Sequence, residues 1–171
     1  MTGPPDPMRA LADHLAIQQV LYRYARGIDR CDAAVLHAVF WPDATADYGS
    51  GEVNAAEWSD QVVVALAAMA RTQHFIGNLL IDLAGDAATA ETYCRAYHEI
   101  AGPDGSVEME VGGRYLDRLE RRGGEWRIAH RRYVLDWNRN GPSTARWDGD
   151  LYGGLSRRGA RHPHDPSYTG E

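Results

Sequence analysis

The sequence predicts an α+β domain in which helices come first and an unbroken run of strands follows. Two patterns carry this expectation. Apolar residues recur at three- and four-residue steps from Leu11 to Ile28, and from Gln73 onward four long β-textured runs succeed one another, separated by Gly, Pro and Asp turn signals. With no helix-length segment between those runs, the strands are expected to form an antiparallel meander with the helices packed on one face.

Residues 1–8, which include Pro4, Pro5 and Pro7, are expected as a disordered lead-in. Leu11, Leu15, Ile17, Val20, Leu21, Tyr24, Ala25 and Ile28 then form one face of a long helix expected to end near Gly27. Asp32 suits the N-cap of a short second helix, "AAVLHAVF", which Trp41 and Pro42 terminate because the residue before proline is pushed out of the helical region. "DATADY" reads as a short strand and "GSGE" as a turn. Asn54 and Glu57 form a capping-box pair that opens a third helix running to about Arg71.

The strands follow as "HFIGNLLIDLAG", "TAETYCRAYHEIAG", "VEMEVGGRYLDRLERRGG" and "WRIAHRRYVLDW". The domain is thereby expected over residues 9–138. Residues 139–171, rich in Gly, Pro, Arg and Asp and poor in apolar side chains, are expected as a C-terminal arm.

At 171 residues the chain is long enough for one real core, and its 44% hydrophobic and 25% charged composition is that of ordinary globular domains. The formal net charge of −6, with basic residues scattered along the chain, argues against a nucleic-acid partner. No apolar run reaches the roughly 18 residues of a membrane span, and the N-terminus lacks a secretory pattern, so the expectation is a cytoplasmic protein with no membrane partner. Cys31 and Cys94 stand far apart and outside any C-x-x-C pair, which suggests buried free thiols. Nucleotide-loop, zinc-protease, serine-hydrolase and EF-hand motifs are missing, and neither a cofactor nor a metal is implied. His162 and His164, beside Asp165, have chelating chemistry, but a flexible tail offers no fixed geometry.

Four positions carry candidate chemistry. His74 opens the first long strand, and an imidazole is the side chain best suited to proton abstraction near neutral pH, provided a carboxylate holds one ring nitrogen. Asp29 is the candidate carboxylate. It follows a helix whose C-terminal end carries roughly half a negative charge, so it needs a cationic or proton-donating partner. Tyr24, five residues earlier, either donates its hydroxyl to a leaving group or packs in the core. Arg131 and Arg132 interrupt the last strand; neighbours point to opposite faces, and both faces look half-buried, so alternation leaves the choice open. His98, on a strand face with Cys94, Ala96 and Ile100, suits either a core or a pocket wall.

Taken together, "IQQVLYRYARGIDRCD", "FWPDATADY", "TQHFIGN" and "WRIAHRRYVLDW" make the chain resemble the SnoaL-like branch of the nuclear-transport-factor-like superfamily, which includes scytalone dehydratase, bile-acid dehydratases and hexachlorocyclohexane dehydrochlorinase. The resemblance implies a cone, meaning a strongly curved antiparallel sheet wrapped against the N-terminal helices around an apolar pocket. It also implies a dimer or trimer. In the lyases of this branch an aspartate at the end of the first helix pairs with a histidine on the strand after the third helix, positions matched by Asp29 and His74. A polar residue five before the aspartate and an arginine on the last strand match Tyr24 and Arg131.

The implied activity is a cofactor-independent lyase, dehydratase-like, acting on a hydrophobic polycyclic, steroid-like or aromatic small molecule. A ketosteroid-isomerase-like or polyketide-cyclase-like enzyme and a non-catalytic ligand-binding module stand as alternatives, because fold alone does not specify a reaction.

Overall fold

The first long helix takes its start from Asp6, whose side chain accepts the Met8 N–H at 3.0 Å, with Pro7 at the first helical position, where its missing N–H costs nothing. The structure, a computed structural model, describes residues 6–170. Residues 1–5 of the expected lead-in therefore lie outside the described residues, and Pro7 and Met8 are already helical. Helix α1 spans Pro7–Arg30 and is followed by α2 (Ala33–Val39), β1 (Phe40–Asp47), β2 (Glu52–Asn54), α3 (Ala55–Ala67), β3 (Arg71–Ala84), β4 (Ala87–Ile100), β5 (Val107–Arg122), β6 (Glu125–Pro142) and two one-turn helices, α4 (Asp150–Gly153) and α5 (Pro166–Thr169).

The six strands form one open sheet in the order β2-β1-β6-β5-β4-β3. The four long strands are an antiparallel meander, as the sequence predicts. Strand β1 departs from that reading by joining β6 in parallel, so the sheet is mixed and not wholly antiparallel. A chain that enters the sheet from a helical hairpin can dock beside its own last strand in either direction, and nothing local in "DATADY" records the choice.

The helix boundaries also differ. α1 runs three residues past Gly27 and ends at Cys31, which adopts the left-handed conformation (φ 51°) and donates its N–H to Ile28. α3 stops at Ala67, short of Arg71, because the chain is drawn into the sheet: the Ala70 N–H bonds to the Glu99 carbonyl and the Arg71 guanidinium reaches the Glu99 carboxylate at 2.7 Å.

The core lies between α1, α2 and the inner face of the sheet. Ile17, Leu21, Tyr24 and Ile28 of α1 meet Leu36, Phe40, Leu119 and Ile128, each aliphatic side chain contributing about 1.5–3 kcal/mol by its removal from water. The apolar face of α1 is shorter than its periodicity suggests, since Leu11 and Leu15 are both 54% exposed. There the helix is tied down by polar groups instead: Asp13 accepts from Arg121 and from the Trp126 indole N–H at 2.8 Å.

Gly112 and Gly113 set the bend of the sheet. The β5–β6 register slips between them, forming a bulge, and a side chain at Gly113 would come within 2.3 Å of the Val134 carbonyl oxygen. Backbone approaches that closely only where no Cβ intervenes, and a bulge at this point bends the strand and increases its twist. Among the described residues no helix is long and apolar enough to cross a membrane.

Candidate active site

β3 is the edge strand of the sheet, so alternate N–H groups on its free side have no strand to bond to. The last turn of α1 lies against that edge and supplies an acceptor. The Asp29 carboxylate takes the His74 backbone N–H on Oδ2 and the imidazole Nδ1 on Oδ1, each at 2.8 Å. Both side chains are 10% exposed. The structure thus brings together two residues 45 positions apart. Asp29 lies within the last helical turn and not beyond it, the position where the helix dipole most disfavours a negative charge. Three donors compensate: the two from His74 and, behind them, the Arg161 guanidinium, which bonds the Asp29 carbonyl at 2.6 Å.

Bonding to the carboxylate at Nδ1 fixes the tautomer of the neutral ring, with the proton on Nδ1 and the lone pair on Nε2. The second histidine lies beside it. His98, two positions along in register, packs edge-on to His74 with ring centroids 5.4 Å apart. Burial, helped by the neighbouring His74, pushes the His98 pKa down to about 4, so this ring is neutral at physiological pH. Its Nδ1 is enclosed and has no partner among the described residues. Half-buried Ile76, Met109, Val111 and Tyr133 continue the same inner face.

Arg131 resolves the choice that alternation left open. Its side chain is wholly buried and paired bidentately with Asp117, Nε to Oδ1 and Nη2 to Oδ2, both at 2.7 Å, whereas the Arg132 side chain is 57% exposed. The guanidinium is sandwiched between the rings of Tyr24 and Tyr115, 3.9 and 4.1 Å from their centroids. Burial opposes its charge, but the Asp117 carboxylate outweighs that effect and holds the Arg131 pKa well above its ordinary value.

Tyr24 is equally buried. Its hydroxyl bonds to that of Tyr48 at 2.5 Å, and burial raises its pKa despite the cation beneath it, so it is a proton donor and not a base. Tyr48 stacks on Trp58 at 4.2 Å and lies 5.8 Å from Tyr133. These rings pack against one another where the resemblance implies an apolar pocket.

Three of these partners escape sequence reading. Asp117 left a readable trace, as the one acid at period two between buried Tyr115 and Leu119. Tyr48 stands only as the last letter of "FWPDATADY". Arg161 left none, since it lies 132 residues from the carbonyl it bonds. The C-terminal residues fold back here: Arg161 also donates to Thr72 Oγ1 and to the Leu66 and Met69 carbonyls, the His162 N–H to Arg30, and the Tyr168 hydroxyl to Asp32. The His162 ring packs on Tyr168, and no cluster with metal-ligand geometry occurs among the described residues.

Helices packed on the inner face of an open, bent sheet, with a histidine held by a helix-end carboxylate, define a class of small α+β domains. The chain belongs to the SnoaL-like domain family, whose profile matches residues 9–132. Among solved structures it is similar to a hexachlorocyclohexane dehydrochlorinase, LinA type 3, from Novosphingobium barchaimii (TM-score 0.71, 19% identity, covering 82% of this chain and 97% of that one). A second is a putative scytalone dehydratase from Novosphingobium aromaticivorans (0.68, 18%, 80% and 91%). A third, Rv3472 from Mycobacterium tuberculosis, is described as a protein of unknown function (0.65, 27%, 78% of each chain). No curated protein sequence matches the chain significantly. The first two likenesses establish a shared fold.

Proposed function

We propose that the protein is a cofactor-independent lyase that removes water from a hydrophobic cyclic small molecule. The observation that carries this reading is the Asp29–His74 pair: a carboxylate bonded to Nδ1 makes Nε2 the lone-pair nitrogen of the neutral ring and stabilises the imidazolium that forms when it takes a proton. His74 would abstract a proton from carbon next to an activating carbonyl. The electron pair then forms the C=C bond as the C–O bond at the next carbon breaks, and the departing hydroxide leaves as water after protonation. The half-buried Tyr48 hydroxyl, bonded to that of the fully buried Tyr24, is a neutral donor of suitable chemistry for that last step. Arg131 has no exposed surface, so it serves as a positioning residue that keeps a positive charge beneath the Tyr24 ring. The similarity to a dehydrochlorinase and to a putative dehydratase supports an elimination.

The test is a panel of hydroxylated cyclic ketones assayed by mass spectrometry for loss of water. Product from the wild type and none from His74→Ala is the expected result. Equal turnover by the variant overturns the assignment of the base.

The packed rings of Tyr24, Tyr48, Trp58, Tyr115 and Tyr133 support a second reading, a ligand-binding module without turnover. In that case His74→Ala binds the same compounds as the wild type and neither converts them. On the outer face of the sheet Phe75, Leu80 and Tyr93 are 69%, 65% and 45% exposed, an apolar patch suited to a second copy of the chain, and sedimentation velocity would report the resulting dimer or trimer.

A further inference from the structure

The C-terminal residues that fold back through Arg161 form a strap, and it does more than bond the Asp29 carbonyl. Between it and the start of β3 lies a groove of about 710 Å³, a volume within the range of small-molecule sites. Five of the residues that line it are arginines, Arg30, Arg71, Arg157, Arg158 and Arg161, and no acid lines it. Two of the five have carboxylate partners: Arg30 faces Asp165 at 3.4 Å and Arg71 faces Glu99 at 2.7 Å. Among the described side chains, which do not include that of Asp150, the other three have no carboxylate within 4.0 Å. Arg158 and Arg161 bond only neutral oxygens there, the carbonyls of Leu155, Trp147, Asp29, Leu66 and Met69 and the Thr72 hydroxyl.

A surplus of three guanidinium charges in one concavity is unexpected in a chain whose formal net charge is −6. Left without a counter-charge, such groups repel one another, and within a cleft the summed field concentrates small anions. The wall also holds a donor in want of an acceptor. The Trp147 indole, stacked under the Arg71 guanidinium at 3.4 Å, has an enclosed Nε1–H with no partner among the described residues. Around the cations the wall is apolar: Tyr152 and Leu155 line the groove and are 53% and 57% exposed. Asp29 and His74 themselves do not line it, although their chain neighbours Arg30 and Gln73 do, so the groove adjoins the candidate active site without including the pair.

We propose that this groove binds a small organic anion, its phosphate or carboxylate group held by Arg157 and Arg158, with the protein-bonded Arg161 adding only its charge, and its apolar part lying against Tyr152 and Leu155. Guanidinium groups suit this ligand because their paired N–H groups match the oxygens of a carboxylate or phosphate.

Isothermal titration of the full chain with phenyl phosphate, inorganic phosphate and phenol tests the proposal. Phenyl phosphate is expected to bind saturably and about tenfold more tightly than inorganic phosphate, phenol not to bind, and added salt to weaken the complex through screening. Arg157→Gln removes a side chain that no hydrogen bond ties down among the described residues, and combined with Arg158→Gln it is expected to weaken phenyl phosphate binding at least about tenfold while the melting temperature stays within a few degrees. The Arg157→Gln single variant keeps the Arg158 bond to the strap and is expected to lose several-fold even if the double variant fails to fold. Absence of saturable binding, or binding unchanged in Arg157→Gln, overturns the site. Equal affinity for phosphate and phenyl phosphate overturns the organic part of the ligand. None of these outcomes depends on turnover at His74.

Discussion

Asp29 holds His74 twice, through the imidazole Nδ1 and through the backbone N–H, each at 2.8 Å. One carboxylate therefore docks the end of α1 on the edge of the sheet and sets the tautomer of the ring. Asn at this position has one accepting oxygen, so Asp29→Asn leaves either the ring N–H or the backbone N–H facing an amide NH₂. The expected results are a loss of about 1–3 kcal/mol in urea denaturation and a fall in turnover of about 10²–10⁴-fold on any substrate the wild type converts. Normal turnover with lowered stability would reduce the pair to an architectural clasp.

Arg131 and Asp117 form a pair with no solvent access on either side chain. Breaking such a pair strands a charge in the core, and Arg131→Met or Asp117→Leu alone is expected to cost about 3–5 kcal/mol. The double variant is expected to recover a large part of that loss, because neither charge then remains buried without its partner. Chemical denaturation of the two single variants and the double variant, read as a cycle, measures the coupling.

These pairs mark how far the sequence carries. The α1 face, the four-strand meander and the Asp29 and His74 positions are legible because each rests on local periodicity or on a family pattern with recognisable spacing. Arg131 against Arg132 is not, since period-two alternation presumes an unbroken strand and the β5–β6 register shifts at both Gly112/Gly113 and Arg118/Leu119. The parallel docking of β1 on β6 and the return of Arg161 to Asp29 are long-range events. Their partners lie about 85 and 132 residues apart, and no local preference encodes either distance.

His98 gives the stability a pH dependence of known sign. The folded protein holds its pKa at about 4, against about 6.5 in an unfolded chain. Between those values the unfolded chain binds more protons, so stability rises with pH across the window. The contribution is complete above about pH 6.5 and is lost as pH falls toward 4, with a ceiling of about 3 kcal/mol. Denaturation midpoints at pH 7 and pH 4.5 should differ accordingly, and His98→Phe should remove the part of the slope that lies between them.

The two bulge glycines should differ in their response to a methyl group. At Gly113 an added Cβ would meet the Val134 backbone carbonyl at 2.3 Å and the Tyr133 hydroxyl at 2.6 Å, whereas at Gly112 it would meet the Trp137 indole at 2.2 Å. Trp137 is 46% exposed and has room to swing outward, but a strand carbonyl does not. Gly113→Ala is expected to cost about 1–3 kcal/mol and Gly112→Ala distinctly less, by thermal denaturation.

Arg161 provides the last prediction. A single guanidinium bonds the carbonyls of Asp29, Leu66 and Met69 together with the Thr72 hydroxyl, joining the end of α1, the end of α3 and the start of β3, three segments that meet at the candidate active site. Each helix end leaves carbonyls without intrahelical donors, and here one cation serves both. Arg161→Met keeps much of the stem's packing and removes every one of these donors. It is expected to cost about 2–4 kcal/mol by urea denaturation, and Arg161→Lys to recover only part of that, because a single ammonium does not span four acceptors in a plane. The consequence should reach His74: its Nδ1 proton, protected by Asp29 in the wild type, is expected to exchange faster with solvent in Arg161→Met under conditions where the variant is still fully folded. Unchanged exchange would mean that α1 and β3 hold the pair without help from the strap, leaving Arg161 only the task of fastening the C-terminal residues.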